Sequence, residues 1–275
     1  MALCLDTHCH LDALEFASDR QDVIDRAKAS GISGLLIPGV KAAEFTDLID
    51  LCHRSATTLP GNSYALGIHP LYTPQASLGD LSLLKDAIAD AISDPRFVGV
   101  GEIGLDYFVP ELDKTRQEYF FHEQLKIAQE FQLPVIMHVR RSQDAIIQSL
   151  KKIPVIGGIA HAFNGSFQQA EQFMTLNCVM GFGGAMTYPR ALQIRRLAAD
   201  LPIESIVLET DAPDIPPIWL SSDHRRNEPG ELPQIVSVLS ELRHDLISRL
   251  QEQCSRNALR VIPRWGTLLQ ELSII

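Results

Sequence analysis

Lys114–Arg140, KTRQEYFFHEQLKIAQEFQLPVIMHVR, decides the fold because two structural periods meet inside it. As far as Phe131, apolar residues recur three and four apart, which is the helix period. Tyr119, Phe120, Leu125, Ile127, Ala128 and Phe131 are expected on the packed side, with Lys114, Glu118, Gln124 and Glu130 outside. Pro134 then announces the apolar run Val135-Ile136-Met137, a strand, and His138 stands at its end. The same alternation recurs along the chain. Strands are predicted near 3–9, 34–39, 63–68, 97–103, 134–139, 157–161, 178–183 and 205–210. Helical patterns fill Asp19–Ser30, Ala42–Ser55 and Leu81–Ile92, and two more run from Leu232 to Ile262.

Eight strands alternating with helices over about 250 residues match an α/β fold of one kind, the (β/α)8 or TIM barrel. A doubly wound open sheet competes with it, but no Gly-rich dinucleotide loop follows the first strand. No linker, low-complexity run or composition break divides the chain, so residues 1–275 read as a single domain. The Pro-rich piece Asp211–Trp219 comes directly after the last strand and reads as an active-site loop.

Composition narrows the function. Hydrophobic residues make up 45% and charged residues 21%, ordinary for a soluble protein. No apolar run reaches the roughly 18 residues that cross a bilayer, and Met-Ala-Leu-Cys-Leu-Asp lacks the features of a signal peptide. Cys4, Cys9, Cys52, Cys178 and Cys254 are odd in number with no Cys-x-x-Cys pair, which points to a reducing cytoplasm. A net charge of −10 argues against a general nucleic-acid coat protein. It leaves room for a nuclease that carries its positive charge locally, in bound cations.

In a barrel of this kind the strands deliver catalytic residues at their C-terminal ends. His8 and His10 end strand one, and two residues apart in an extended chain they share a face. Glu102 ends strand four, His138 strand five, His161 strand six and Asp211 strand eight. Imidazoles and carboxylates in this number suit two divalent cations sharing a bridging carboxylate, rather than one tetrahedral zinc. Strands one and eight are neighbours once the barrel closes, so His8, His10 and Asp211 are expected to hold one metal. His138 and His161 are expected to hold the second, with Glu102 between the two. Asp211 is the candidate to take a proton from the attacking water.

These segments carry a family resemblance. Asp6-Thr7-His8-Cys9-His10, Gly67-Ile68-His69-Pro70, Gly101-Glu102-Ile103-Gly104-Leu105-Asp106-Tyr107, Leu133–Arg140, His161-Ala162-Phe163-Asn164-Gly165, Glu209-Thr210-Asp211-Ala212-Pro213 and Arg226-Asn227-Glu228-Pro229 resemble the TatD family of metal-dependent deoxyribonucleases, in order, from residue 3 to about residue 262. The resemblance implies a barrel, phosphodiester hydrolysis, and the six residues above as ligands. It also implies that Mg2+ supports turnover, while ligand softness leans toward Zn2+ or Mn2+. One position departs from the family: the second histidine often found after Gly-x-His-Pro is Leu71 here.

Other polar residues are read one at a time. His69, ending strand three, is expected to donate to a phosphate oxygen, and Asp106 to orient His69 or another histidine. Arg140 and the loop Arg225-Arg226-Asn227 are candidate substrate contacts, and His224 lies in the same loop. His53, His122 and His244 fall in helical patterns on the exterior. Cys9 reads as a buried small hydrophobe and Asn257 as structural. With so acidic a chain, the expected substrate is single-stranded DNA or a nucleic-acid end, with no membrane and no obligate protein partner. Two rival functions remain: an amidohydrolase-type enzyme acting on a carboxylic ester or amide, and a non-catalytic interaction protein. Many amidohydrolases bridge their metals with a carboxylated lysine, and strand four offers Glu102 and no lysine.

Overall fold

A computed structural model describes residues 2–220 and 226–275. Its strands are β1 (Leu5–Asp6), β2 (Gly34–Pro38), β3 (Ser63–Leu66), β4 (Phe97–Asp106), β5 (Val135–Arg140), β6 (Gly158–His161), β7 (Cys178–Phe182) and β8 (Ile206–Leu208). They form one parallel eight-stranded sheet in strict chain order. Between them lie α1 (Arg20–Ala29), α2 (Phe45–Ser55), α3 (Leu78–Ala91), α4 (Lys114–Glu130), α5 (Gln143–Lys152), α6 (Phe167–Thr175) and α7 (Leu192–Asp200), followed by α8 (Leu232–Arg243), α9 (Ile247–Val261) and α10 (Pro263–Glu271). The expected (β/α)8 barrel is the observed one. None of the described helices is long and apolar enough to cross a membrane.

The first and last strands are shorter than their apolar runs, for a physical reason. Cys4 and Leu5 donate their backbone N–H groups to the hydroxyls of Ser33 and Ser255, both at 3.2 Å, instead of to a neighbouring strand. Past Asp6 the chain bonds across the seam of the barrel. Thr7 N donates to Leu208 O (3.0 Å), Asp211 N to His8 O (2.9 Å) and His10 N to Ala212 O (2.8 Å). These bonds close the sheet and set the first and last strand ends side by side.

One residue from each strand fills the lower barrel: Leu5, Leu36, Ala65, Val98, Ile136, Ile159, Val179 and Val207 cluster with Trp265, Leu268 and Leu269. A second, larger cluster packs the helices around the sheet. The C-terminal patterns appear as α8 and α9, but α10 lies beyond the predicted end at Ile262. It starts with Pro263 in the first turn, where a missing N–H costs nothing. Trp265 is fully buried and donates its indole N–H to Gly61 O at 2.8 Å, plugging the barrel floor. Trp265→Ala is expected to destabilise the fold by about 3–5 kcal/mol, the usual loss for a buried aromatic. Chemical denaturation checks this, and a change below about 1 kcal/mol would mean that α10 is not part of the core.

Helix α4 corrects the amphipathic reading at two positions. Tyr119 is 47% exposed, whereas Gln124, expected outside, is buried. The Gln124 amide accepts from Ile68 N (2.7 Å) and donates to Ile68 O (3.0 Å). Two turns earlier, the buried Gln117 pairs with the N–H and C=O of Asp106 in the same way. Each amide satisfies a backbone donor and acceptor left over where a strand ends, which polarity alone does not reveal. The outlying histidines behave as ordinary residues. His53 pairs with Asp94 and His122 with Ser149, while His244 sits just past α8 in a left-handed turn (φ 52°) instead of inside a helix. Cys9 is fully buried, and Asn257 donates to Ile203 O and Ile206 O as a structural staple.

Candidate metal centre

The alternation of strand side chains carries residues from the packed layer to the mouth. His138 and His161 stand two residues beyond the inward Ile136 and Ile159, and Glu209 stands two beyond Val207. On β4 the register shifts between Val100 and Ile103, so Glu102 is placed by an irregular stretch of strand. All six predicted ligands converge.

Glu102 is the middle of the site, and its two oxygens face different partners. Oε2 lies 3.1 Å from His8 Nε2 and 3.3 Å from His10 Nε2. Oε1 lies 3.0 Å from both His138 Nδ1 and His161 Nε2, and 3.2 Å from His69 Nε2. Asp211 Oδ1 adds to the first side, 3.6 Å from His8 Nε2 and 3.7 Å from His10 Nε2. His8, His10 and Asp211 thus gather as one donor group. His161 joins His8 and Glu102, and His138 joins His69 and Glu102, although His138 Nδ1 and His161 Nε2 are themselves only 3.4 Å apart. Imidazole nitrogens and carboxylate oxygens in this arrangement fit divalent first-row cations.

The protonation pattern supports that fit. Burial alone would raise Glu102, yet the histidines around it hold its carboxyl well below the usual range. Burial also opposes charge on His10, but Glu102, Asp211 and Asp12 outweigh it and raise His10 to about 9. Burial is overcome in the same way at His138 and His161, whose pKa values also rise. Asp211 is pushed by burial to about 6 despite His161 and His10. Without a cation, protons on these imidazoles supply the positive charge that the carboxylates need. Because those protons must leave before the nitrogens can ligate, metal uptake at pH 7 is expected to release protons. Affinity should rise as pH climbs from about 6 to about 9. Calorimetry in buffers of different ionisation enthalpy reads the release; binding with no proton exchange would mean that these imidazoles are neutral before the metal arrives, as burial makes His8.

Several residues act on the ligands through their neighbours. Asp106 Oδ2 lies 3.1 Å from His138 Nε2, so of the two orienting targets expected for Asp106 it takes His138, not His69. Asp6 accepts from His8 N, Thr210 N and Thr210 Oγ1, tying both strand ends that bear the first donor group. Glu209 is buried beside His161, with Oε1 3.7 Å from His161 Nδ1. Its space is left by Gly181 on β7, where a Cβ would land on the carboxylate. Asp6 and Glu209 were not singled out from sequence; the glycine facing Glu209 on the neighbouring strand was the available signal. Glu209 Oε1 accepts from Ala162 N and makes no hydrogen bond to His161, so Glu209→Gln is expected to act through its charge beside that histidine and weaken metal affinity by up to about tenfold. Metal titration measures it, and an unchanged affinity would leave Glu209 with packing alone.

His69 meets Glu102 but differs from the other histidines. Its Nδ1 accepts the Leu71 backbone N–H at 3.1 Å, so the neutral ring carries its proton on Nε2. Burial lowers its pKa to about 4. His69 is therefore a hydrogen-bond donor toward Glu102, at 3.2 Å.

The loop after β8 reads differently from its sequence. Arg226, expected to contact substrate, is held by Asp19 at 2.7 Å through both Nη atoms and by Glu228 at 2.6 Å. Asn227 is buried, donating to Thr210 O, Asp214 O and Ile215 O. Both shape the loop, because their polar groups are already used inside the protein. Arg225 and His224 lie outside the described residues. Arg140 remains exposed at the mouth, 3.7 Å from Asp106.

A parallel barrel with carboxylates and imidazoles gathered at the C-terminal ends of its strands defines the class of metal-dependent hydrolases. Residues 5–263 match the family model of TatD related DNases. The chain is 36% identical over 255 residues to the metal-dependent hydrolase YjjV of Escherichia coli (strain K12), covering 92% of this chain and 95% of that protein. It is 33% identical over 262 residues to the 3'-5' ssDNA/RNA exonuclease TatD of Erwinia billingiae, covering 93% and 97%. The crystal structure of YjjV superposes with a TM-score of 0.87 at 35% identity, over 94% of this chain and 98% of that one. The chain belongs to the TatD related DNase family.

Proposed function

We propose that this protein hydrolyses phosphodiester bonds of single-stranded DNA, working from an end, as one barrel domain in the reducing cytoplasm. His8, His10 and Asp211 would hold one divalent cation, His138 and His161 the second, and Glu102 would bridge them. The observation that carries this reading is the division of Glu102, with one oxygen toward His8 and His10 and the other toward His138 and His161. Two cations, when bound, supply positive charge for phosphoryl oxygens and make water acidic enough to ionise near neutral pH. The imidazole-rich donor set leans toward Zn2+ or Mn2+, and the family resemblance adds Mg2+. The TatD relative's name, a 3'-5' ssDNA/RNA exonuclease, supports a strand end as substrate. The five described cysteines, all free and buried, support the reducing compartment.

Asp211, 3.6 and 3.7 Å from the His8 and His10 nitrogens, would accept the proton of the attacking water. His69, with its proton on Nε2, donates to a phosphoryl oxygen. Asp106 holds His138 in its working orientation, Glu209 lends charge beside His161 at 3.7 Å, and Arg140 meets the strand at the mouth. The test is digestion of end-labelled single-stranded DNA and RNA with each metal. Bis-p-nitrophenyl phosphate is assayed beside amides and lactones. The reading predicts ladders shortening from one end and hydrolysis of the phosphodiester alone. Turnover of an amide or lactone with intact strands would favour the amidohydrolase reading instead.

A further inference from the structure

Phe108, two residues past β4 and 45% exposed, lies under two guanidinium groups. The Arg140 guanidinium sits 3.9 Å from the ring centroid and that of Arg141 sits 4.7 Å away. Successive side chains of an extended strand point to opposite faces, so adjacent arginines ordinarily diverge. They converge here because Arg141 adopts a left-handed backbone, φ 54°, which breaks the alternation. That conformation is unfavourable for a residue other than glycine, and such strain gathers at working sites.

The charge around the pair is one-sided. Arg140 shares Asp106 Oδ2, at 3.7 Å, with His138 Nε2, at 3.1 Å. Among the described residues, no carboxylate pairs with Arg141. A single cation–π contact would serve to anchor Phe108; a second guanidinium without an acid, in a chain of net charge −10, leaves an anion-binding position. It stands one carboxylate oxygen away from His138, at the rim of the centre.

We infer that Phe108, Arg140 and Arg141 form a subsite for the nucleotide next to the scissile phosphodiester. The guanidinium forks take its phosphate, and the exposed part of the Phe108 ring takes its base. Arg forks match phosphate geometry, and an aromatic face stacks any base, so the subsite reads strand and not sequence. It rests on the phosphodiesterase reading above and deepens it: the good substrate is an oligonucleotide, and a lone ester is a poor one.

The test measures binding of a fluorescent single-stranded decamer to the metal-loaded full chain, with kcat/KM for that strand and for p-nitrophenyl methyl phosphate, which has no second phosphate and no base. Arg141→Ala and Phe108→Leu are each expected to weaken decamer binding about tenfold. The ratio of kcat/KM for the decamer to that for the small ester should fall by a similar factor. Arg141→Ala should also reduce the slope of log K against log salt by roughly 0.7, the loss of one phosphate contact. Arg141→Lys, with the charge but not the fork, should recover only part of the affinity. Decamer affinity and salt slope equal to the unmodified protein in both variants would overturn the subsite. So would an equal loss on the small ester. If the unmodified chain cleaves neither substrate, the phosphodiesterase reading falls, and decamer binding still decides the subsite.

Discussion

Glu102→Ala is expected to lower kcat/KM by at least about 10³-fold and to abolish stoichiometric binding of two cations. Each bound cation supplies several kcal/mol of charge stabilisation, and about 1.36 kcal/mol is a factor of ten in rate. Glu102 is the shared carboxylate: His8 and His10 face one oxygen, His138, His161 and His69 the other. Without it, buried imidazoles crowd together with Asp211, Asp106 and Glu209 as the carboxylates still beside them. Glu102→Gln, which keeps the volume and removes the charge, should lose activity to a similar degree, separating charge from packing. His161→Ala should spare the first donor group of His8, His10 and Asp211, so one cation remains. An Glu102→Ala protein that binds two cations and turns over normally would refute the bridging role.

Asp211→Asn is expected to reduce kcat about 10²–10⁴-fold, the range assigned to a positioned general base. KM should stay nearly constant, because the proton leaves water only as the phosphorus is attacked. Asparagine has the same shape and can still approach His8 and His10, but it cannot take up a proton. The carboxyl is suited to the task by its place, 3.6 and 3.7 Å from the two histidine nitrogens. A variant with near-normal kcat would move the base elsewhere. A variant with raised KM and unchanged kcat would make Asp211 a contact felt equally in the ground state and the transition state.

The barrel and its candidate ligands were legible because the strands obey local periods. Each apolar run ends near one rim, so His8, His10, Glu102, His138, His161 and Asp211 could be gathered from the strand ends, although Glu102 sits on an irregular stretch of β4 and Asp211 on a left-handed residue past β8, which spacing does not show. What escaped depends on partners distant in sequence. Gln124 looks like a surface residue until Ile68 supplies both halves of its hydrogen-bond pair. Glu209 passes for part of a strand until Gly181, on the neighbouring strand, makes room for its carboxylate. Arg226 has the composition of a substrate contact, but Asp19 and Glu228 occupy it. The proton position on His69 is set by a backbone N–H, that of Leu71, at the very position where the family resemblance had led us to look for a missing side chain. Helix α10 was missed for a related reason. Its Trp265, Leu268 and Leu269 do stand three and four apart, the helix period, but that period does not say that the fully buried Trp265 closes the floor of strands that begin elsewhere.

Anomalous diffraction from crystals of this protein grown with Mn2+ tests the central claim most directly. The account predicts two peaks about 3.5–4 Å apart, one against His8, His10 and Asp211, the other against His138 and His161, with the Glu102 carboxylate between them. A single peak, or two peaks that Glu102 does not touch, would contradict it.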